Sequence, residues 1–131
     1  MLLKKAGSRV AKILIIDDSA VIRNLLTEFL GESGHLVDSA VDGTEGLKKA
    51  LNGDYDLCIC DVHLPKMNGH QLLMRLGKAR GQMQFIFTDS LPDELADQIY
   101  KTTGFTCLKK PFDLHQLTEI VTRALEKTRT Q

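Results

Sequence analysis

Five polar side chains stand just after short apolar runs: Asp17 and Asp18 after KILII, Asp61 after LCIC, Thr88 after FIF, and Lys110 shortly after CL. In an open parallel α/β sheet, residues just past the carboxyl ends of the strands line one crevice. Three carboxylates, a hydroxyl and an amine are therefore expected to meet in one place. Acids so close repel each other, and each resists ionising unless a cation sits among them. Hard divalent ions prefer oxygen ligands, and Mg2+ takes one or two carboxylates while keeping several waters. A carboxylate beside a metal, a hydroxyl and an ammonium suits phosphoryl chemistry. The carboxylate attacks, while the cation, the Lys and the Thr hold charge on the phosphoryl oxygens.

Positioning these groups requires a fold with five strand ends on one side. Apolar runs and helical patterns alternate five times, the rhythm of a parallel sheet with helices on both faces. Strands are expected at 12–16, 36–41, 57–60, 84–87 and 107–108. Ser19 can cap a first helix whose apolar face is Val21, Ile22, Leu25, Leu26, Phe29 and Leu30, a 3.6-residue period, with Gly34 as its stop. A second helix is expected at 43–51, and a third after Gly69 with Leu72, Leu73 and Leu76 inward. Pro92, Asp93 and Glu94 suit the first turn of a fourth. Asp113, with Gln116 three residues on, caps the last, which turns Leu114, Leu117, Ile120, Val121, Ala124 and Leu125 to the core.

The 131 residues suit one domain with a real core. Lys plus Arg equal Asp plus Glu at 17 each, so no basic excess points to nucleic acid or an anionic membrane. No apolar stretch approaches the ~20 residues of a membrane helix. Residues 1–11 carry Lys4, Lys5 and Arg9 without an acid or a signal-peptide apolar segment. They are expected to form a loose tail before a domain at 12–128. Three cysteines, few and odd in number, suit a reduced, cytoplasmic setting. Cys58 and Cys60, two apart on a strand, share a face and read as small buried hydrophobes. His35, His70 and His115 read as surface or helix-start residues. The chain stops after the last helix, and no output domain is expected within it.

The acidic pair Asp17-Asp18, the stretch from Asp61 to Gly69 (DVHLPKMNG), Thr88, and Lys110-Pro111-Phe112 together resemble the receiver domain of two-component response regulators. The match runs over residues 12–127. Each motif alone is weak; their order and their places at strand ends are specific. The resemblance implies a flavodoxin-like (βα)5 fold with Asp61 as phosphoacceptor. It implies that Asp18 and Asp61 bind Mg2+ directly, Asp17 acts through water, and the His63 backbone carbonyl is a further ligand. Thr88 would bond the phosphoryl oxygen, Lys110 would pair with it, and the Lys110–Pro111 bond would be cis. Lys109, alternating with Lys110, should face solvent. A sensor histidine kinase or a histidine phosphotransfer protein would be the donor. A downstream protein would bind the α4–β5–α5 face, and the chain itself would be no enzyme.

Two other classes use similar residues. A haloacid-dehalogenase-like phosphatase has an Asp nucleophile but places Asp-x-Asp after its first strand; here the acids are adjacent and the acceptor follows the third. A degenerate receiver serving only as a docking module would not need intact acids, Thr and Lys. Two positions depart from the receiver pattern. Asp89 replaces a small residue after the Thr and brings a second negative charge toward an incoming phosphoryl group. Cys107 replaces the aromatic residue that links the site to the partner face, and Tyr100 on the fourth helix is the available substitute.

Overall fold

Five parallel strands in the order β2-β1-β3-β4-β5 form one sheet. They are β1 (Lys12–Ile16), β2 (Leu36–Ala40), β3 (Leu57–Asp61), β4 (Gln84–Asp89) and β5 (Thr106–Lys109). Between and after them run α1 (Ala20–Glu32), α2 (Gly43–Asn52), α3 (Gly69–Leu76), α4 (Leu95–Thr103) and α5 (Leu114–Arg129), with a 3-10 turn at Gly77–Arg80. This computed structural model describes residues 10–91 and 94–129. The fold is the expected flavodoxin-like (βα)5 arrangement. The chain steps from β1 outward to β2, then returns to β3 on the other side, so a crevice opens beyond the carboxyl ends of β1 and β3.

Strand alternation divides the core in two. Leu14, Ile16, Cys58, Cys60, Phe85 and Phe87 face α2, α3 and α4 through Ala50, Leu72, Leu73, Leu76 and Ile99. Ile13, Ile15, Leu57, Ile59 and Ile86 face α1 and α5 through Leu26, Leu30, Leu117, Val121 and Leu125. Every residue of β3 is buried, as a strand covered on both faces requires. The edge strands β2 and β5 alternate toward solvent. Cys58 and Cys60 are fully buried on one face. Burial pushes the Cys60 thiol well up, so it stays protonated and behaves as an apolar filler.

Capping fixes where helices begin. Ser19 accepts the Ile22 N–H, and Asp113 and Gln116 form a reciprocal pair at the start of α5. Asn68 and Gln71 form another at α3, missed in the sequence because Asn68 sits inside the stretch assigned to the acceptor loop. Such a cap contributes on the order of 1 kcal/mol.

Several expectations need correction. Val21 and Leu25, assigned to the core face of α1, are exposed; Leu26 and Leu30 are buried, with Ile22 and Phe29 packed against them. The apolar stripe is wider than the strip of sheet the helix covers. β2 stops at Ala40, because the Val41 N–H is bound by Glu45 Oε1 of α2 instead of a strand. β3 and β4 run on to Asp61 and Asp89, since Asp61 pairs with Thr88, and Asp89 with Lys109. Asp61 and Thr88 thus sit on strand ends, whereas Asp17, Asp18 and Lys110 follow directly after theirs. α4 begins at Leu95; the expected first-turn residues Pro92 and Asp93 lie outside the described residues, and Glu94 makes no side-chain cap bond. His35 is half-buried, its Nδ1 accepting the Ala11 N–H at 3.0 Å. Ala11, placed in the tail, is buried against the α1–α5 side; residues 1–9 lie outside the described residues.

Candidate functional site

Asp17 follows β1 and is buried. Its Oδ1 accepts the Ser19 N–H at 2.9 Å, which turns the chain into α1. Its backbone carbonyl accepts a bond from the Arg23 guanidinium at 2.7 Å. Arg23 went unnoticed in the sequence because its reach to Asp17 depends on where Ser19 starts the helix. Asp18 is exposed. Asp61 ends β3, is 5% exposed, and accepts the His63 N–H on Oδ1 at 3.0 Å. Lys110 Nζ lies between Asp17 Oδ2 at 2.7 Å and Asp61 Oδ2 at 3.1 Å. Its backbone sits at the expected cis Lys110–Pro111 bond. Lys109 is exposed, as alternation requires.

These groups shift one another. Burial pushes the Asp61 carboxyl up, and the nearby Asp17 charge adds to this; the His63 N–H and the Lys110 ammonium work the other way without prevailing. For Lys110, burial opposes the charge, but the bonds and charges of Asp17 and Asp61 outweigh it and raise its pKa. The amine therefore stays charged and stands where three acids would otherwise repel.

The sequence-predicted metal residues come together. Asp17, Asp18 and Asp61 each offer a carboxylate oxygen, all within 4.8 Å of one another. An all-oxygen set of this size, open to water at Asp18, fits a hard divalent ion that keeps part of its hydration. Thr88 stands opposite Asp61 in the β3–β4 register. Its Oγ1 is buried and has no hydrogen-bond partner among the described residues. Buried hydroxyls are nearly always bonded, so this one is available to a group from outside the chain.

The loop from Val62 to Asn68 is held from several sides. Gly69 donates to the Val62 carbonyl, and Gly43 to that of Pro65. A Cβ on Gly43 would collide with the Met67 carbonyl, so only glycine lets the start of α2 come this close. Lys66 adopts φ 69, uncommon for a residue with a side chain, and its ammonium lies 3.3 Å from Asp42. Asp89, suspected from sequence to approach the site, is buried rather than turned to solvent. Its contact with His63 was not foreseen, because the two residues meet only through the β3–β4 register.

The family model described as "Response regulator receiver domain" matches residues 13–122. The chain belongs to the response regulator receiver family. The transcriptional regulatory protein HprR of Escherichia coli is 35% identical over 108 residues, covering 81% of this chain and 48% of its own length. A receiver domain protein structure from Clostridium thermocellum superposes with a TM-score of 0.86 at 28% identity, covering 92% of this receiver and 98% of that chain. The Thermotoga maritima response regulator TrrA, solved with Mg2+ and BeF, gives a TM-score of 0.78 at 31% identity, covering 88% and 100%. This receiver spans about half or less of the length of the curated relatives it matches. None of its described helices is long and apolar enough to cross a membrane.

Proposed function

We propose that this receiver is phosphorylated on Asp61 by a histidine kinase or histidine phosphotransfer protein and then signals by binding a protein through its α4–β5–α5 face. The observation that carries the reading is the buried, unpartnered Thr88 hydroxyl facing Asp61, with Lys110 on its other side. An Asp61 oxygen attacks phosphorus; the phosphorus–nitrogen bond of the donor breaks, and the nitrogen keeps the electron pair. Thr88 donates to one phosphoryl oxygen. Lys110 turns from the carboxylates to pair with another. Mg2+, held by Asp18, Asp61 and the His63 carbonyl, with Asp17 acting through water, would neutralise charge on the phosphoryl group. In TrrA, Mg2+ and BeF occur together on a receiver of the same fold, which supports this assignment. A cytoplasmic setting is part of the same reading.

The test is incubation with acetyl phosphate and Mg2+. One hydroxylamine-sensitive acyl phosphate per chain, mapped to Asp61, is expected. Steady release of phosphate from a simple ester, without a stable adduct, would favour the phosphatase alternative and overturn the reading.

Propagation to the partner face should be weak. Cys107 is only half-buried against the Phe85–Phe87 core, and a thiol cannot fill and vacate a pocket as a ring does. Tyr100 is 60% exposed, so it points away from the place it would have to fill. NMR shift mapping with beryllofluoride should show large changes around Asp61 and Thr88 and small ones along α4, β5 and α5. A full rearrangement of that face would show that this receiver switches without the aromatic residue.

A further inference from the structure

Each polar group of Asp17 is engaged by a different part of the chain. Its N–H donates to the Ala40 carbonyl at 3.2 Å. Its Oδ1 accepts the Ser19 N–H at 2.9 Å, and its Oδ2 accepts the Lys110 ammonium at 2.7 Å. Its carbonyl accepts the Arg23 guanidinium at 2.7 Å. That last bond has no part in the chemistry above. It reaches back from α1 through a side chain, because the backbone donors of that turn are spent on Ser19. The Arg23 N–H goes to the Ser19 carbonyl, and the Ile22 N–H to Ser19 Oγ.

The Asp17 carbonyl belongs to the peptide that joins Asp17 to Asp18. A planar peptide moves as one unit, so a bond to its oxygen fixes the point from which Asp18 departs. Asp17 is held inward on Lys110, while Asp18 stands exposed with an oxygen within 4.8 Å of those of Asp17 and Asp61. Arg23 is half-buried, and its planar fork gives up less freedom per bond than an ammonium on a flexible stem. Mg2+ demands near-ideal octahedral geometry, whereas Ca2+ accepts flexible coordination. A bond that orients Asp18 therefore matters more to the first ion than to the second.

We propose that Arg23 is a positioning residue for the cation: by holding the Asp17–Asp18 peptide, it presents Asp18 in the geometry that Mg2+ requires. This role rests on Asp18 holding the cation, as in the function proposed above. Charge alone predicts the reverse. A guanidinium near the site repels any divalent ion, so its loss would tighten the binding of both ions alike.

The test is calorimetric titration of the parent, Arg23→Met and Arg23→Lys with Mg2+ and, separately, with Ca2+, with circular dichroism to confirm folding. Met suits a helix about as well as Arg and keeps an apolar stem while removing the donor. Arg23→Met should weaken Mg2+ binding about fivefold and Ca2+ binding less than about twofold. Arg23→Lys keeps a donor without the fork, and should weaken Mg2+ only about twofold. The ratio of the two affinities is the decisive quantity, since loosened packing of α1 would weaken both ions equally. Unchanged or tighter Mg2+ binding in Arg23→Met, or equal losses for the two ions, would overturn the role. Should Arg23→Met not fold, an unchanged ratio in Arg23→Lys would overturn it. Labelling by acetyl phosphate separates this from the acceptor assignment. A parent that binds Mg2+, with the expected pattern in the variants, but takes no label would support Arg23 and remove Asp61 as acceptor. A parent that binds no Mg2+ would overturn the role of Arg23 together with the cation site.

Discussion

Asp61→Asn should take no phosphoryl group from acetyl phosphate, with or without Mg2+, and should fold at least as well as the parent. The amide has the carboxylate's shape, so its oxygen can still accept the His63 N–H that sets the loop. Lys110 keeps its 2.7 Å partner Asp17. What disappears is the nucleophile and one of three crowded charges. Burial raises the Asp61 carboxyl above its unfolded pKa. A group raised in this way contributes stability that is fully present below the unfolded value and lost as pH rises through the folded value. At neutral pH the ionised Asp61 therefore weakens the metal-free fold. The parent, melted in chelator, should become more stable as pH falls through the raised Asp61 value toward the unfolded carboxyl value, and Asp61→Asn should lose that part of the gain. The two measurements separate chemistry from folding. Labelling equal to the parent's would remove Asp61 as acceptor; a parent-like pH slope in the variant would show that another acid controls the metal-free stability.

The chain shows β1, β3 and β4 plainly because each is a short apolar run bounded by polar residues, and its site residues because they follow such runs. Strand ends were harder to read. Asp61 and Asp89 look like loop residues in one dimension and belong to strands only because Thr88 and Lys109 sit opposite them in neighbouring strands. The same holds for Val21 and Leu25. A six-residue apolar stripe is visible in the sequence, whereas the width of the sheet strip that α1 covers is a tertiary property. The acidic pair was legible as a pair, but not its division of labour. Asp17 is buried and bonded to Ser19 and Lys110, whereas Asp18 is exposed. Nothing in the order of two adjacent aspartates tells which one turns inward. The His63–Asp89 contact spans two strands and was beyond any pattern of spacing.

That division of labour sets the second large effect. Asp18→Ala should abolish Mg2+-dependent phosphorylation and leave the metal-free protein as stable as the parent, or more so. Asp18 offers its oxygen within 4.8 Å of those of Asp17 and Asp61 while standing open to water, the position from which a hydrated cation is most easily held. Its removal relieves repulsion among the acids and touches neither the Ser19 turn nor the Lys110 pair. Asp17→Ala, by contrast, strips Lys110 of its shorter bond and the start of α1 of its turn, so it should destabilise the fold with or without metal. Mg2+ is the discriminating reagent. A ligand that binds only the folded state stabilises it by about 2.7 kcal/mol at a hundred times its Kd. The parent's melting temperature should therefore climb with added Mg2+, while that of Asp18→Ala stays flat across the same titration. A rise of equal size in the variant would mean that the cation sits on Asp17 and Asp61 alone, and that Asp18 is a bystander at the mouth of the site.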